Sequence, residues 1–299
     1  MELQQMRYVV AVADTSNFTR AAEQCLVVQS ALSHQIAKLE RELGAKLFSR
    51  TSRRVRLTPA GEAFLPAARQ ALDAVERACS EVAAATGEIR GRLVIGAIPT
   101  VTAVDLPAAL KQFHLRHRQV RISLRSGASE DLTERVRQGT LDAAFLGLPL
   151  GECPKGVRGR ELARDDLVAV VAPDHPLADE DRVDLRQLSD ESFIDFPPGT
   201  AARAQSDEAF AAAGVRREVA FEVTTVDFIA RLIRQGLGIG MLPAAFVSEL
   251  PGLPVLQLRD APARMEYLIW SRFPPSPVAA AFLSTLGISA AESSPSPGS

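Results

Sequence analysis

The sequence predicts an α/β protein headed by a small all-α winged helix-turn-helix, and three observations predict it. Residues 29–57 order a polar-faced helix, a glycine break and a basic ribbon. Residues 65–82 hold an apolar seam spaced for one long helix. From residue 92 onward, short apolar strands alternate with helical stretches, as in mostly parallel sheets with helices on their faces.

In the head, Leu3, Met6, Val9, Val10 and Ala13 give a first helix one apolar face. Ser16, Asn17 and Phe18 interrupt it, and Thr19 to Gln24 supply a second, alanine-rich helix. Cys25 to Val28 is the short turn that a helix-turn-helix needs. The third helix, Gln29 to Leu43, places Leu32, Ile36, Leu39 and Leu43 on one core-facing side. Ser30, His34, Lys38 and Arg41 point the other way, with Gln29 and Ser33 on the flanks. Such side chains can hydrogen-bond base edges or phosphate oxygens. An ordinary surface helix has the same alternation, so the neighbours decide. After the Gly44 break, Arg50, Arg53, Arg54 and Arg56 fall within seven residues of the Phe48–Leu57 ribbon with no acid among them. Guanidinium groups on a ribbon suit phosphate and minor-groove contact. Residues 1–60 hold nine Lys and Arg against five Asp and Glu, a surplus of four in a chain whose total is −2. A basic head on an acidic body fits one part that meets a polyanion and one that does not.

The run FTRAAEQCLVVQSALSHQIAKLERELGAKLFSR with RVRLTPAGEAF, Phe18 to Gly61 and beyond, resembles the DNA-binding domain of LysR-type transcriptional regulators. The resemblance implies that Gln29, Ser30, Ser33, His34 and Gln35 lie at or near the bases of double-stranded promoter DNA. It implies that Lys38, Arg50, Arg53 and Arg54 hold phosphates or the minor groove. Two positions depart from the family's habit. Proline often stands where this chain has Ser30, and a longer cation where it has His34, so the operator sequence does not carry over from relatives.

Thr58 is placed to cap the next helix, Pro59 suits its first position, and Glu62 favours its positive end. Leu65, Ala68, Leu72, Val75, Cys79 and Val82 then step by three and four, a heptad seam. A helix packed on its own body has the same pattern. The resemblance implies instead a linker helix pairing antiparallel with a second subunit. It further implies homodimers, commonly two of them in a homotetramer. The expected domains are thus 1–58, the winged head, and 59–88, the dimerisation helix, with Gly87 to Gly91 closing it.

Strands are expected at 93–98, 120–124, 143–147, 167–172 and 218–223, alternating with helices at 106–116, 132–138, 201–213 and 226–235. About 200 residues suit two smaller sheets better than one open sheet. The motifs GRLVIGAIPT, LDAAFLG, LVAVVAPDHPL and VDFIARLIRQGLGIGMLP extend the resemblance to about Leu286. It implies a two-lobed effector-binding domain, 89–290, with the fold of periplasmic-binding-protein-like (type 2) domains. Lobe one takes 92–162 and 270–287, and lobe two takes 163–269. A small-molecule effector is expected in the cleft, beyond strand ends where helix N-termini expose amides. The candidate lining is Thr100, Val101 and Thr102; Ser126 and Gly127; Phe196, Pro197 and Thr200; Thr225 and Val226. Hydroxyls and amides in such loops suit a small carboxylate, although capping alone explains any single one. Sequence fixes no cation in the cleft, with Arg203 as a candidate.

Other features exclude more than they assign. Gly236, Gly238 and Gly240 follow a helix, so they are not a nucleotide fingerprint. His114 and His117 have no third ligand nearby, and no metal or cofactor is expected. Cys25, Cys79 and Cys153 have no paired spacing, which suits a reducing cytoplasm; Cys25 and Cys79 read as buried helical positions. No nucleophile elbow, P-loop or paired-carboxylate setting suggests an enzyme. The N-terminus does not read as a signal peptide, no apolar run approaches a membrane span, and residues 291–299 read as a disordered tail. The expectation is a cytoplasmic, effector-controlled transcription regulator, with RNA polymerase a further candidate partner. Two alternatives stand beside it: a regulator sensing redox state through a thiol, Cys153 first, and a solute-binding module without gene control.

Overall fold

The computed structural model describes residues 1–50 and 55–289. Arg53 and Arg54 of the expected DNA contacts lie outside the described residues, as do the side chain of Arg50 and the expected disordered tail. The chain forms two compact units, 1–91 with 138–140, and 92–137 with the residues from 141 onward.

The first unit contains α1 (Leu3–Thr15), α2 (Phe18–Gln24), α3 (Gln29–Leu43), β1 (Phe48–Arg50), β2 (Val55–Leu57) and α4 (Pro59–Ala85). Local chemistry sets the boundaries. Glu2 and Gln5 form a reciprocal capping box at the start of α1, and Ser16 ends it in the left-handed region. The Asn17 side chain then accepts the Thr19 and Arg20 amides to open α2. Gly44, at φ 68°, stops α3. Val9, Val12, Phe18, Ala21, Leu32, Ile36, Leu39 and Leu47 pack as one core. Leu43, expected in that core, is exposed, because the glycine stop turns the chain away at its own turn. Buried Glu40 accepts the Leu47 amide at 2.9 Å and the Phe48 amide at 3.3 Å, tying the end of α3 to the start of β1. The ribbon is antiparallel, with Ser49 opposite Arg56 and Arg50 opposite Val55. Thr58 caps α4 by accepting the Gly61 amide at 3.1 Å.

The second unit continues with β3 (Gly91–Ala97), α5 (Leu106–Arg116), β4 (Val120–Ser126), α6 (Ser129–Arg137), β5 (Ala143–Pro149) and β6 (Arg158–Val170). Then follow β7 (Arg182–Val183), a 3-10 turn (Leu185–Leu188), β8 (Ser192–Asp195), α7 (Ala201–Ala212), β9 (Glu218–Glu222) and α8 (Val226–Arg234). The last elements are β10 (Ile239–Pro243), α9 (Ala244–Val247), β11 (Val255–Leu258), β12 (Ala263–Trp270) and α10 (Pro277–Thr285).

Strand order is β4-β3-β5-β12-β6-β10-β8-β9, with β11 on the other edge of β6 and β7 beyond it. The two sheets expected from chain length are therefore joined. The first half of β6 pairs antiparallel with β12, through Asp166 opposite Ala263. Its second half pairs with β10, from Leu167 opposite Pro243 to Val170 opposite Gly240. The chain re-enters the first sheet at Ala263, ahead of the expected return near 270, because β12 is a full strand between β5 and β6. Ile229 and Ile233 of α8 cover one face of the second sheet with Val168, Val170 and Leu242. Phe193, Phe210, Ile239 and Leu256 fill the other. Gly240 lies against Ile229 and Ile233, where a Cβ would clash, and Gly238 lies against the Ser192 carbonyl. The glycine run is thus a packing feature of the α8–β10 passage.

Candidate nucleic-acid interface and ligand cavity

The outer face of α3 carries Gln29, Ser30 and His34 exposed, with Ser33 half-buried beside them. Gln29 Nε2 donates to Ser33 Oγ at 3.2 Å. The remaining expected contacts on this helix are engaged elsewhere. Gln35 accepts a hydrogen bond from the buried Gln5 side chain at 3.2 Å, so it faces α1. Lys38 is ion-paired with Glu2 at 3.0 Å, and that hydrogen bond raises the ammonium pKa above its ordinary value. An expected phosphate contact is therefore paired within the head. Arg56 is exposed on β2. The turn ahead of α3 holds a feature that periodicity missed: Leu26 is 92% exposed at φ 56°, and Val28, the helix N-cap, is 69% exposed with no side-chain cap.

Along α4 the expected seam is mixed. Leu65, Leu72 and Val75 are half-buried, Cys79 is exposed, and Val82 is 67% exposed. Ala68 is buried within the chain, because the early turns of α4 pack on α1. It is therefore removed from an intersubunit role, and Cys79 is corrected from buried to exposed.

A cavity of about 380 Å³ opens between the two sheets of the second unit. Thr100, Ser126, Gly127, Phe196, Pro197, Thr200 and Thr225 line it, as expected from the loops. Three expected residues do not. Val226 is buried in the core under α8, Val101 lies outside the lining, and Thr102 turns to Glu266. Arg203 is also outside: it binds Asp207 at 3.0 Å, Glu222 at 3.4 Å and the Phe196 carbonyl at 3.2 Å. Gln205, Ser129, Leu167, Met241, Pro243 and Arg264 belong to the wall and were not anticipated.

Arg264 is the wall's charged side chain and is 3% exposed. It donates to Thr100 Oγ1 at 2.7 Å, to the Thr100 carbonyl at 2.8 Å and to Glu266 Oε1 at 2.7 Å. Burial pulls its pKa down, against the opposing pull of Glu266 and Asp165. Gly147 makes room for it, since a Cβ there would press on Ile98 and on Arg264 Nη1. Ser129 Oγ in turn bonds the Gly147 carbonyl at 3.0 Å and accepts its amide at 3.2 Å. On the opposite wall, Thr200 Oγ1 donates to the Pro197 carbonyl at 2.9 Å and accepts the Arg203 amide at 3.3 Å. Asp195 accepts the Phe196 amide at 2.7 Å and faces buried Arg217 at 2.8 Å. Burial raises the Asp195 pKa, with Arg217 opposing. Cys153 is exposed, its sulfur 3.9 Å from the Tyr267 hydroxyl. Among the described residues, no helix is long and apolar enough to cross a membrane, and no three His, Cys, Asp or Glu gather as a metal set.

A model of the LysR substrate binding domain matches residues 86–289. Another, described as a bacterial regulatory helix-turn-helix protein of the lysR family, matches residues 3–62. The chain is 33% identical over 249 residues to the transcriptional dual regulator GltC of Bacillus subtilis, covering 83% of each. It is 33% identical over 288 residues to the HTH-type transcriptional regulator BudR of Raoultella terrigena, covering 95% of this chain and 99% of that one. A full-length OxyR variant from Pseudomonas aeruginosa superposes with a TM-score of 0.69 at 28% identity, covering 95% of both chains.

Proposed function

Since this chain belongs to the LysR family, and so is a DNA-binding transcription regulator with an effector-binding domain, we propose that Gln29, Ser30, Ser33 and His34 read its operator. The observation that carries this reading is their open row on α3, with the partnered Gln35 and Lys38 at its inner edge. The wing arginines Arg50, Arg53 and Arg54, with Arg56, supply phosphate contacts that fix register without reading sequence. Lys38 joins them only by giving up Glu2. The α4 seam from Leu72 to Val82, half-buried at Leu72 and Val75 and exposed at Cys79 and Val82, packs against a second copy, so that two heads address two half-sites.

The cavity between the sheets takes the effector. A small molecule touching both walls stabilises whichever spacing of the sheets fits it, and that difference in affinity is what reaches the DNA. RNA polymerase is the further partner through which occupancy becomes transcription.

The test is a gel-shift titration with the DNA upstream of the protein's own gene. Replacing Ser33 or His34 by alanine relaxes base preference, each lost contact being worth about 1–3 kcal/mol of discrimination. Replacing Arg56 weakens all sequences alike and flattens the salt dependence. If the Ser33 and His34 variants keep the same preferred bases, the reading face is misassigned. Salt-insensitive binding would leave only a solute-binding module. A thiol sensor centred on Cys153 is tested in cells: Cys153→Ser protein that no longer answers peroxide would favour it, and one that responds normally would remove it.

A further inference from the structure

The loop after β3 presents the amides that a small carboxylate would seek, and the chain fills them itself. Glu266, 1% exposed on β12, accepts the Thr102 amide at 3.1 Å and the Ala103 amide at 3.1 Å. It also accepts the Thr102 hydroxyl at 2.5 Å and the Arg264 guanidinium at 2.7 Å. Asp165 Oδ2 lies 3.6 Å from the same Arg264 nitrogen. One guanidinium thus serves two carboxylates, and the buried group is formally an anion. A further carboxylate against this wall would meet like charge where water cannot screen it.

The rest of the wall agrees. Ile98, Leu167, Phe196, Met241 and Pro243 make most of it apolar, and its other polar side chains are hydroxyls and the Gln205 amide. Helix α7 begins at the wall, but Thr200 already caps its Arg203 amide. The Arg264 guanidinium is spent on Thr100 and Glu266, and its Nε is buried away from the cavity.

We propose that this cavity binds an uncharged, largely apolar small molecule with one polar group, because Glu266 and Asp165 behind the wall already claim the charge of Arg264. The proposal rests on the cavity being the effector site, and it replaces the acidic ligand that the loop hydroxyls suggested. The wall hydroxyls and the Gln205 amide meet its polar group, and the apolar walls hold its body.

The experiment uses matched pairs of probes on the full chain: benzamide against benzoate, and cyclohexanecarboxamide against cyclohexanecarboxylate. Melting temperature is followed as each is titrated. The amides should stabilise with at least tenfold lower apparent Kd than their carboxylates, and Glu266→Gln should narrow that ratio severalfold by removing the built-in charge. Should Glu266→Gln fail to fold, the wild-type ratio alone decides. Carboxylates matching or beating the amides would overturn the neutral class while leaving the cavity as the effector site. No stabilisation by either member of either pair would also overturn it. Ala128 also lines the cavity; if the amides win but Ala128→Phe, which puts a ring into that space, leaves their shift unchanged, binding is elsewhere and the cavity reading falls instead.

Discussion

The carbonyl oxygen of Leu47 occupies the space that a side chain on Gly61 would need. The start of α4 therefore lies directly against the chain entering β1, and a Cβ at 61 would also press on Leu57. Backbone cannot move aside as a flexible side chain can. Gly61→Ala should destabilise the head by about 1–3 kcal/mol and lower operator affinity in proportion to the unfolded fraction. Denaturant titration of residues 1–91, followed by gel shift of the full chain, checks both.

Glu40 makes the head acid-sensitive. Its burial opposes ionisation, yet the Lys46 ammonium and the Leu47 and Phe48 amides outweigh that and hold the carboxyl below its ordinary pKa. A folded-state pKa below the unfolded one gives stability that is present above about pH 4.3 and lost as pH falls through the lower folded value. Glu40→Gln should therefore be less stable than wild type at neutral pH and show a shallower acid limb. Equal slopes for the two proteins in pH-dependent unfolding would contradict the role.

Val28 is an uncommon N-cap, with no oxygen to offer the first amides of α3. Val28→Ser should stabilise the head by about 1 kcal/mol, read as a higher denaturation midpoint. A midpoint unchanged or lowered would mean that this amide end is satisfied in another way.

Arg217 lies buried against Asp195 and Asp207, its guanidinium 5.3 Å from the Phe193 ring centre and 5.5 Å from that of Phe210. Removing it strands the buried Asp195 carboxyl beneath the Phe196 wall. Arg217→Ala should cost about 3–5 kcal/mol and loosen the cavity, whereas Arg217→Ala/Asp195→Asn should recover part of the loss. A double-mutant cycle in urea measures the recovery.

What the sequence revealed followed the reach of each interaction. The spacing of Leu32, Ile36 and Leu39 marks α3, and Asn17, Thr58 and Gly44 mark helix ends, because those effects act within a turn. The first half of β6 was hidden by its charges, Arg158 to Asp166, which sit on half-exposed backbone and break the apolar signal. β12 was missed for a related reason, since Arg264 and Glu266 are charges that the fold buries. Their partners, Thr100 and Thr102, lie 164 residues away, so no local pattern pointed to them. Lys38 likewise reads as free until α1 brings Glu2 beside it. The loops lining the cavity were legible because strand ends and caps announce themselves; the side chains that set its charge were not.

β6 passes from β12 at Asp166 to β10 at Leu167 without a gap in its ladder, whereas the other crossing, Arg259–Pro262, is a loop. One connection is thus a continuous strand and the other a short loop. Because β6 is continuous across both pairings, turning one sheet against the other would wind it about its own axis, as a torsion bar winds between two grips. A turn driven by a ligand would then be resisted elastically along a single strand, and release of the ligand would let that strand unwind.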